Sequence, residues 1–157
     1  MKVEFWVIGK TSFDYLNEGN DIYLNRIKHY VPFKMETIPD IKNRKKLSAD
    51  QIKTKEGELI LSKINTSDFL ILMDERGKQR SSVEFSDYLQ MMLQQSYKRL
   101  IFLIGGAYGF SEAVYNRRNM KMSLSKMTFS HQMVRLIFLE QFYRALTIMK
   151  NEPYHHE

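Results

Sequence analysis

Arg99-Leu-Ile-Phe-Leu-Ile-Gly-Gly-Ala-Tyr-Gly-Phe110 decides the fold. A short run of apolar residues that breaks at a double glycine has the length and pattern of a strand buried on both faces. Asp68-Phe-Leu-Ile-Leu-Met73 repeats the pattern and gives way to the polar stretch Asp74-Glu-Arg-Gly-Lys78, which reads as a turn. Near the start, Lys2 to Gly9 is rich in β-branched and aromatic residues and stops at Gly9-Lys10, so it reads as a first strand.

Helical patterns fill the intervals. Tyr15, Ile22, Tyr23, Ile27 and Tyr30 recur at helical spacing, but Gly19 interrupts the series, and a helix is expected from about Asn20. Pro32 breaks it, and Lys34 to Ile38 forms a short strand that Pro39 ends. Ser48 with Gln51 is an N-cap signature for a helix to about Lys63, and Ser82 caps another with Phe85, Leu89, Met92 and Leu93 facing inward. A short segment, Lys121 to Leu124, precedes a long helix from about His131 to Lys150, capped by Ser130. Strands alternating with helices predict a single α/β domain over residues 1–157 with a mostly parallel sheet. Ligands in such folds sit beyond the carboxyl ends of the strands, which here are Met73 to Lys78, Gly105 to Phe110 and the loop after Leu124.

Composition narrows the chemistry. The chain has 157 residues, no cysteine and four histidines. No thiolate site is possible and no metal is expected. No apolar run approaches membrane-spanning length and no export signal is evident, so a soluble cytoplasmic protein is expected, with neither membrane nor DNA as partner. The net charge of +6 is concentrated. Ile41 to Lys55 holds six basic residues against Asp50 alone, and Tyr115 to Arg135 holds Arg117, Arg118, Lys121, Lys126 and Arg135 without an acid. Clustered cations suit a polyanion such as RNA. The second run carries that reading because it surrounds the glycine loop, whereas the first reads as a solvated surface.

Gly105-Gly106-x-x-Gly109 has neither the dinucleotide spacing nor the P-loop ending. It offers backbone that approaches a ligand closely or takes positive φ, with Ser111 and Glu112 opening a helix behind it. In the last helix Met133, Val134, Leu136, Ile137, Phe138, Leu139, Phe142, Leu146 and Ile148 cover nearly every direction. Such a helix needs cover on more than one side, which predicts a homodimer through it; a helix sandwiched within one chain is the alternative. Glu140 and Arg144 can pair along it. Tyr154-His155, tethered behind Pro153, offers base stacking and proton handling.

Together, Gly-Gly-x-x-Gly after a buried strand, Leu124-Ser-Lys-Met-Thr-Phe129 before His-Gln-Met, Arg135 with Glu140-Gln-x-Tyr-Arg144, and the closing Pro-Tyr-His resemble the ribosomal RNA large subunit methyltransferase H family. These are small bacterial members of the SPOUT, or α/β-knot, methyltransferases. The likeness spans the chain, including Val7-Ile-Gly-Lys10, Lys55-Glu-Gly57 and Gly77-Lys78. It implies a trefoil knot, a homodimer, S-adenosylmethionine as methyl donor, and methylation at N3 of pseudouridine 1915 in 23S rRNA on the ribosome. It places donor contacts on Met73, Gly105, Gly106, Leu124, Ser125, Lys126, Met127, Thr128 and Phe129. His155 is then expected as base or base-orienter, Tyr154 as the residue positioning the pyrimidine, and Arg135 or Arg144 as a phosphate contact or tail-orienting group. The tail is expected beside the partner subunit's donor. Ser130, where the family usually has proline, and His156, where it usually has Arg or Lys, depart from the pattern. A non-catalytic RNA-binding or ribosome-assembly factor, and a methyltransferase with another RNA target, are the competing readings.

Overall fold

In a strand, successive side chains point to opposite faces, and here both faces are apolar. Val3, Phe5, Val7, Ile71, Leu100, Phe102 and Ile104 enter one buried cluster, while Trp6, Ile8, Leu70, Leu72, Ile101 and Leu103 enter another. The strands are therefore covered on both sides by helices. The computed structural model describes residues 1–156. Its elements are β1 (Lys2–Ile8), α1 (Asp14–Ile27), β2 (Phe33–Ile38), α2 (Ala49–Ser62), β3 (Asp68–Gln79), α3 (Ser82–Leu93), β4 (Arg99–Ile104), α4 (Glu112–Arg117), β5 (Met120–Ser123) and α5 (Met133–Met149), with a one-turn 3-10 helix at Arg44–Lys46. The five strands pair in parallel in the order β2-β1-β4-β3-β5. Helices α1, α3 and α5 pack together on one face, and α2 and α4 cover the other.

The expected α/β architecture is thus present, with several local differences. Helix α1 begins at Asp14, not near Asn20, and Gly19 lies inside it. A Cβ at Gly19 would stand 3.0 Å from the Leu136 side chain, so the missing side chain serves close approach of α1 and α5 and does not break the helix. Asp74 to Lys78 is not a turn between elements. Strand β3 runs on to Gln79, with Met73 and Lys78 both opposite Met122, so the residues between them bulge outward. Ser81, not Ser82, caps α3, in a reciprocal capping box with Glu84; Ser48 and Gln51 form the same box on α2. Ser130 acts a turn before α5, its hydroxyl accepting from the Met133 N–H.

Helix α5 lies between α1 and α3 on the sheet. No residue from Gln132 to Met149 is fully exposed. One chain therefore supplies most of the cover that the apolar circumference demanded, and the outer strip of α5 carries Glu140 and Arg144.

At the other end of the sheet, Asp68 joins β3 to β4. Its carboxylate accepts from Arg99 Nε at 3.0 Å and Nη2 at 2.6 Å, and from the Asn65 N–H at 2.8 Å. Burial alone would raise its pKa, but the Arg99 hydrogen bonds and those from the backbone hold it below the usual value. A depressed folded-state pKa adds stability above the unfolded value of about 3.9, which is lost as pH falls through the folded value. Asp68→Asn should cost about 2 kcal/mol near neutral pH, since it removes the charge that takes two hydrogen bonds from Arg99 and leaves that guanidinium only Glu4 at 3.3 Å and the Lys63 carbonyl at 2.9 Å. Urea unfolding followed by circular dichroism checks this, and the deficit should shrink on acidification below about pH 4.

Candidate active site

The carboxyl ends of β3, β4 and β5 converge on one cleft of about 760 Å³. Three segments wall it: Met73 to Arg76 from the β3 bulge, Gly105 to Phe110 after β4, and Met122 to Val134 from β5 into α5, of which Lys126, Gln132 and Met133 are not lining residues. Eight of the nine expected donor contacts, all but Lys126, therefore meet in one place.

The glycine loop differs from the sequence expectation in detail. Positive φ occurs at Gly109 (+82°), not at Gly105 or Gly106. The Gly109 N–H donates to the Gly106 carbonyl at 3.1 Å, closing the turn. Gly105 and Gly106 are small for steric reasons: a Cβ would stand 3.0 Å from the Phe110 ring at the first and 2.9 Å from both Glu56 carboxylate oxygens at the second. Behind the loop, the Ser111 hydroxyl caps α4, as expected.

The opposite wall is acidic. Asp74 accepts from the Tyr115 hydroxyl at 2.5 Å and from the Arg76 N–H at 2.8 Å. Burial pushes the Asp74 pKa up, but these donors bring it below the usual carboxylate value, so it is ionised at neutral pH. Glu75 accepts from Thr128 Oγ1 at 3.3 Å and ties the bulge to the β5–α5 loop, which is itself shaped by Met127 N–H to Ser125 Oγ at 3.0 Å. The cleft thus presents glycine backbone on one side and, on the other, the Asp74 and Glu75 carboxylates with Arg76 Nε 3.8 Å from Asp74 and Lys53 also on the lining, a setting for a ligand that carries both signs of charge. Its rim is open: Met127 is 77% exposed and Tyr108 51%.

The tail forms a second constellation on the outer strip of α5. Arg144 is its hub. Its Nη2 donates to Glu140 Oε1 at 2.7 Å, its Nη1 meets His155 Nδ1 at 3.1 Å, and its guanidinium lies 4.8 Å from the Tyr154 ring centroid. Tyr154 donates to Glu140 Oε1 at 3.0 Å and packs on Tyr143 at 4.8 Å between ring centroids. Burial, then the contacts with Tyr23 and Glu140, raise the Tyr154 pKa, so its hydroxyl keeps its proton. Arginine only donates, so His155 Nδ1 is the acceptor in this contact. Tyr30 anchors the preceding turn, donating to Glu152 Oε2 at 2.6 Å.

The structure brings Tyr154, His155 and Arg144 together, but Arg135 lies apart. It is 1% exposed and donates to the carbonyls of Ile8, Gly9 and His131 and to Thr11 Oγ1. Those bonds pin the start of α5 to the end of β1, so its guanidinium is unavailable to phosphate or to the tail. Arg117 of the second basic run is similarly occupied, donating to the carbonyls of Asn65 and Asp68, and Arg118 donates to that of Tyr115. Exposed cations are found in both runs, at Lys42, Lys45, Lys46 and Lys55 in the first and at Arg118 and Lys126 in the second. Of the second run, Arg117 and Arg135 are thus spent on internal carbonyls, while Arg118 and Lys126 keep their charge at the surface.

Sequence reasoning missed Glu56, Asp74, Glu75 and Tyr115. Asp74 and Glu75 were absorbed into a supposed turn, and Glu56 entered only as part of the Lys55-Glu-Gly57 motif, with no role attached to it. A further signal was Gly57 within a helical stripe, where a glycine invites close packing.

A family described as predicted SPOUT methyltransferase matches residues 1–155. The chain is similar to the ribosomal RNA large subunit methyltransferase H of Parabacteroides distasonis, 59% identical over 157 residues and the whole of both chains. It is 58% identical over 156 residues to the protein of the same name from Christiangramia forsetii, covering 99% of each. Among solved structures, a probable methylase family protein from Haemophilus influenzae aligns with a TM-score of 0.53 at 9% identity, over 99% of this chain and 70% of that one, a likeness of fold.

Proposed function

The chain belongs to the SPOUT methyltransferase family, and from that premise we propose that it transfers a methyl group from S-adenosylmethionine to N3 of pseudouridine 1915 in the 23S rRNA of the ribosome. The observation that carries this reading is the convergence of the β3 bulge, the glycine loop and the β5–α5 loop on one acid-walled cleft. Its size and its Asp74 and Glu75 carboxylates suit a donor that carries positive charge.

Met73, Gly105, Gly106, Leu124, Ser125, Met127, Thr128 and Phe129 would hold the donor, with Lys126 at the outer edge of the same loop. When bound, the donor supplies a methyl group already activated on sulfonium. What remains for the protein is alignment with N3 and help in losing the N3 proton. Tyr154, kept neutral, positions the pyrimidine by stacking and by its hydroxyl. His155, oriented through Nδ1 by Arg144, would stabilise the negative charge that develops as the N3 proton passes to water. A base acting through Nδ1 would first have to leave Arg144, so the orienting role fits this arrangement better than the base role. Arg144 fixes the imidazole, and Arg135 acts as a strut.

None of Tyr154, His155 and Arg144 lines the cleft of its own chain. That separation, with the open rim, supports a homodimer in which the tail of one subunit works beside the donor of the other. The trefoil-knotted path and a cytoplasmic setting belong to the same proposal. RNA would meet the exposed cations of both basic runs, Lys42, Lys45, Lys46 and Lys55 in the first and Arg118 and Lys126 in the second.

Calorimetry with S-adenosylhomocysteine tests the donor assignment: binding at micromolar or tighter concentration is expected, and no binding would favour an RNA-binding assembly factor. Light scattering on the purified protein should give twice the chain mass; a monomer at micromolar concentration would contradict the composite site.

A further inference from the structure

Glu56 is a buried ionisable group that the proposed reaction leaves unused. It sits on α2 at 3% exposure, and its Oε2 has no hydrogen-bond partner among the described residues. Its carboxyl group lies against Gly106, since both oxygens would stand 2.9 Å from a Cβ placed there. Gly106 is part of the wall of the cleft, and Glu56 is behind that wall. A buried oxygen without a partner is rare in folded proteins and calls for an explanation. Here the neighbouring backbone belongs to the glycine loop expected to approach a ligand closely.

We propose that Glu56 is a positioning residue of the donor site: its unpartnered oxygen takes a hydrogen bond from the backbone of the Gly105–Gly109 loop when that loop closes on the methyl donor, and so fixes the loop in its binding form. This rests on the assignment of the cleft to the donor. It explains why Gly106 carries no side chain, because any Cβ would push the carboxyl group away from the loop it is to hold.

Burial raises the Glu56 pKa in the ligand-free protein; Arg44 opposes that rise and Asp40 adds to it, both from the segment between β2 and α2. Lys53, on α2 itself, lines the cleft. A backbone N–H given to the carboxyl group favours the ionised form, so the pKa falls on loop closure. The protein therefore loses a proton as it binds. Affinity rises with pH between the bound-state and free-state values and levels off above the latter.

The test is calorimetry of S-adenosylhomocysteine on the full chain from about pH 5 to pH 8, in two buffers of different ionisation enthalpy, for wild type, Glu56→Gln and Glu56→Ala. In the wild type, binding should tighten about 10-fold across the range with net proton release, as expected for a hydrogen bond to a charged group. Glu56→Gln keeps an acceptor but cannot ionise, so its profile should run flatter than that of the wild type, with proton release reduced and affinity at the upper pH within about 3-fold. Glu56→Ala should bind about 30-fold more weakly at the upper pH. A Glu56→Gln profile that superimposes on the wild type overturns the proposal, whether or not the alanine variant folds. So does alanine-variant affinity within about 2-fold of wild type. A wild type that binds no S-adenosylhomocysteine overturns the donor assignment itself, and this inference falls with it.

Discussion

Arg144→Ala should lower methyl transfer on ribosomes by about 100-fold or more while leaving S-adenosylhomocysteine affinity within about 2-fold of wild type. The size follows from what the side chain holds. One guanidinium contacts His155 Nδ1 at 3.1 Å, Glu140 at 2.7 Å and the face of Tyr154 at 4.8 Å. Its loss frees the imidazole to rotate and change tautomer, and removes the packing that orders the Tyr154 ring. Positioned proton-handling and charge-stabilising groups are each worth roughly 100-fold or more. The donor cleft is spared because Arg144 lines no part of it. His155→Ala should produce a loss of similar size, and the double variant little more than either alone, since the two act as a unit. Equal, near-wild-type turnover in both single variants would remove the tail from the chemistry. Single-turnover methylation of ribosomes at saturating donor is the measurement.

Gly77→Ala should have the largest effect on the fold. A Cβ at Gly77 would stand 2.5 Å from the Met122 backbone nitrogen, 2.6 Å from its carbonyl carbon and 2.7 Å from that of Lys121. No rotamer relieves a clash with backbone, so β5 must move away from β3. The expected cost is about 3 kcal/mol, at the upper end for overpacking, or roughly 10 °C in melting temperature for a chain of this length. Because Met73 to Arg76 and Met122 to Ser125 wall the cleft, donor affinity should fall as well. Differential scanning calorimetry with and without S-adenosylhomocysteine checks both. A melting temperature within about 2 °C of wild type would show that β3 and β5 are looser here than the structure indicates.

Gly77 also shows where the sequence was readable and where it was not. Within Asp74 to Lys78 polarity correctly marked an interruption. Only the pairing of both Met73 and Lys78 with Met122 reveals that the chain bulges and rejoins the same neighbour, because register is a property of two strands. The buried runs Leu70 to Leu72 and Leu100 to Ile104 were legible because burial on both faces leaves no polar position. Caps were legible to within a residue, since Ser48 and Ser81 each precede a Gln or Glu three places on. Gly19 was misread because a glycine that allows two helices to touch looks, in one dimension, like a helix breaker. Arg135 was misread for a related reason: a cation in a basic run gives no sign that its partners are the carbonyls of Ile8 and Gly9, more than a hundred residues away. The walls of the cleft, at the carboxyl ends of β3, β4 and β5, followed from strand ends and motif. The contribution of Glu56 did not, because it depends on one oxygen behind one glycine.

The most direct test of the reaction proposed for this cleft and tail is mass spectrometry of 23S rRNA from a strain lacking the gene, beside the same strain carrying it. The account predicts that a single methyl group on pseudouridine 1915 is missing from the first and restored in the second. Identical methylation of that nucleotide in both strains would contradict it.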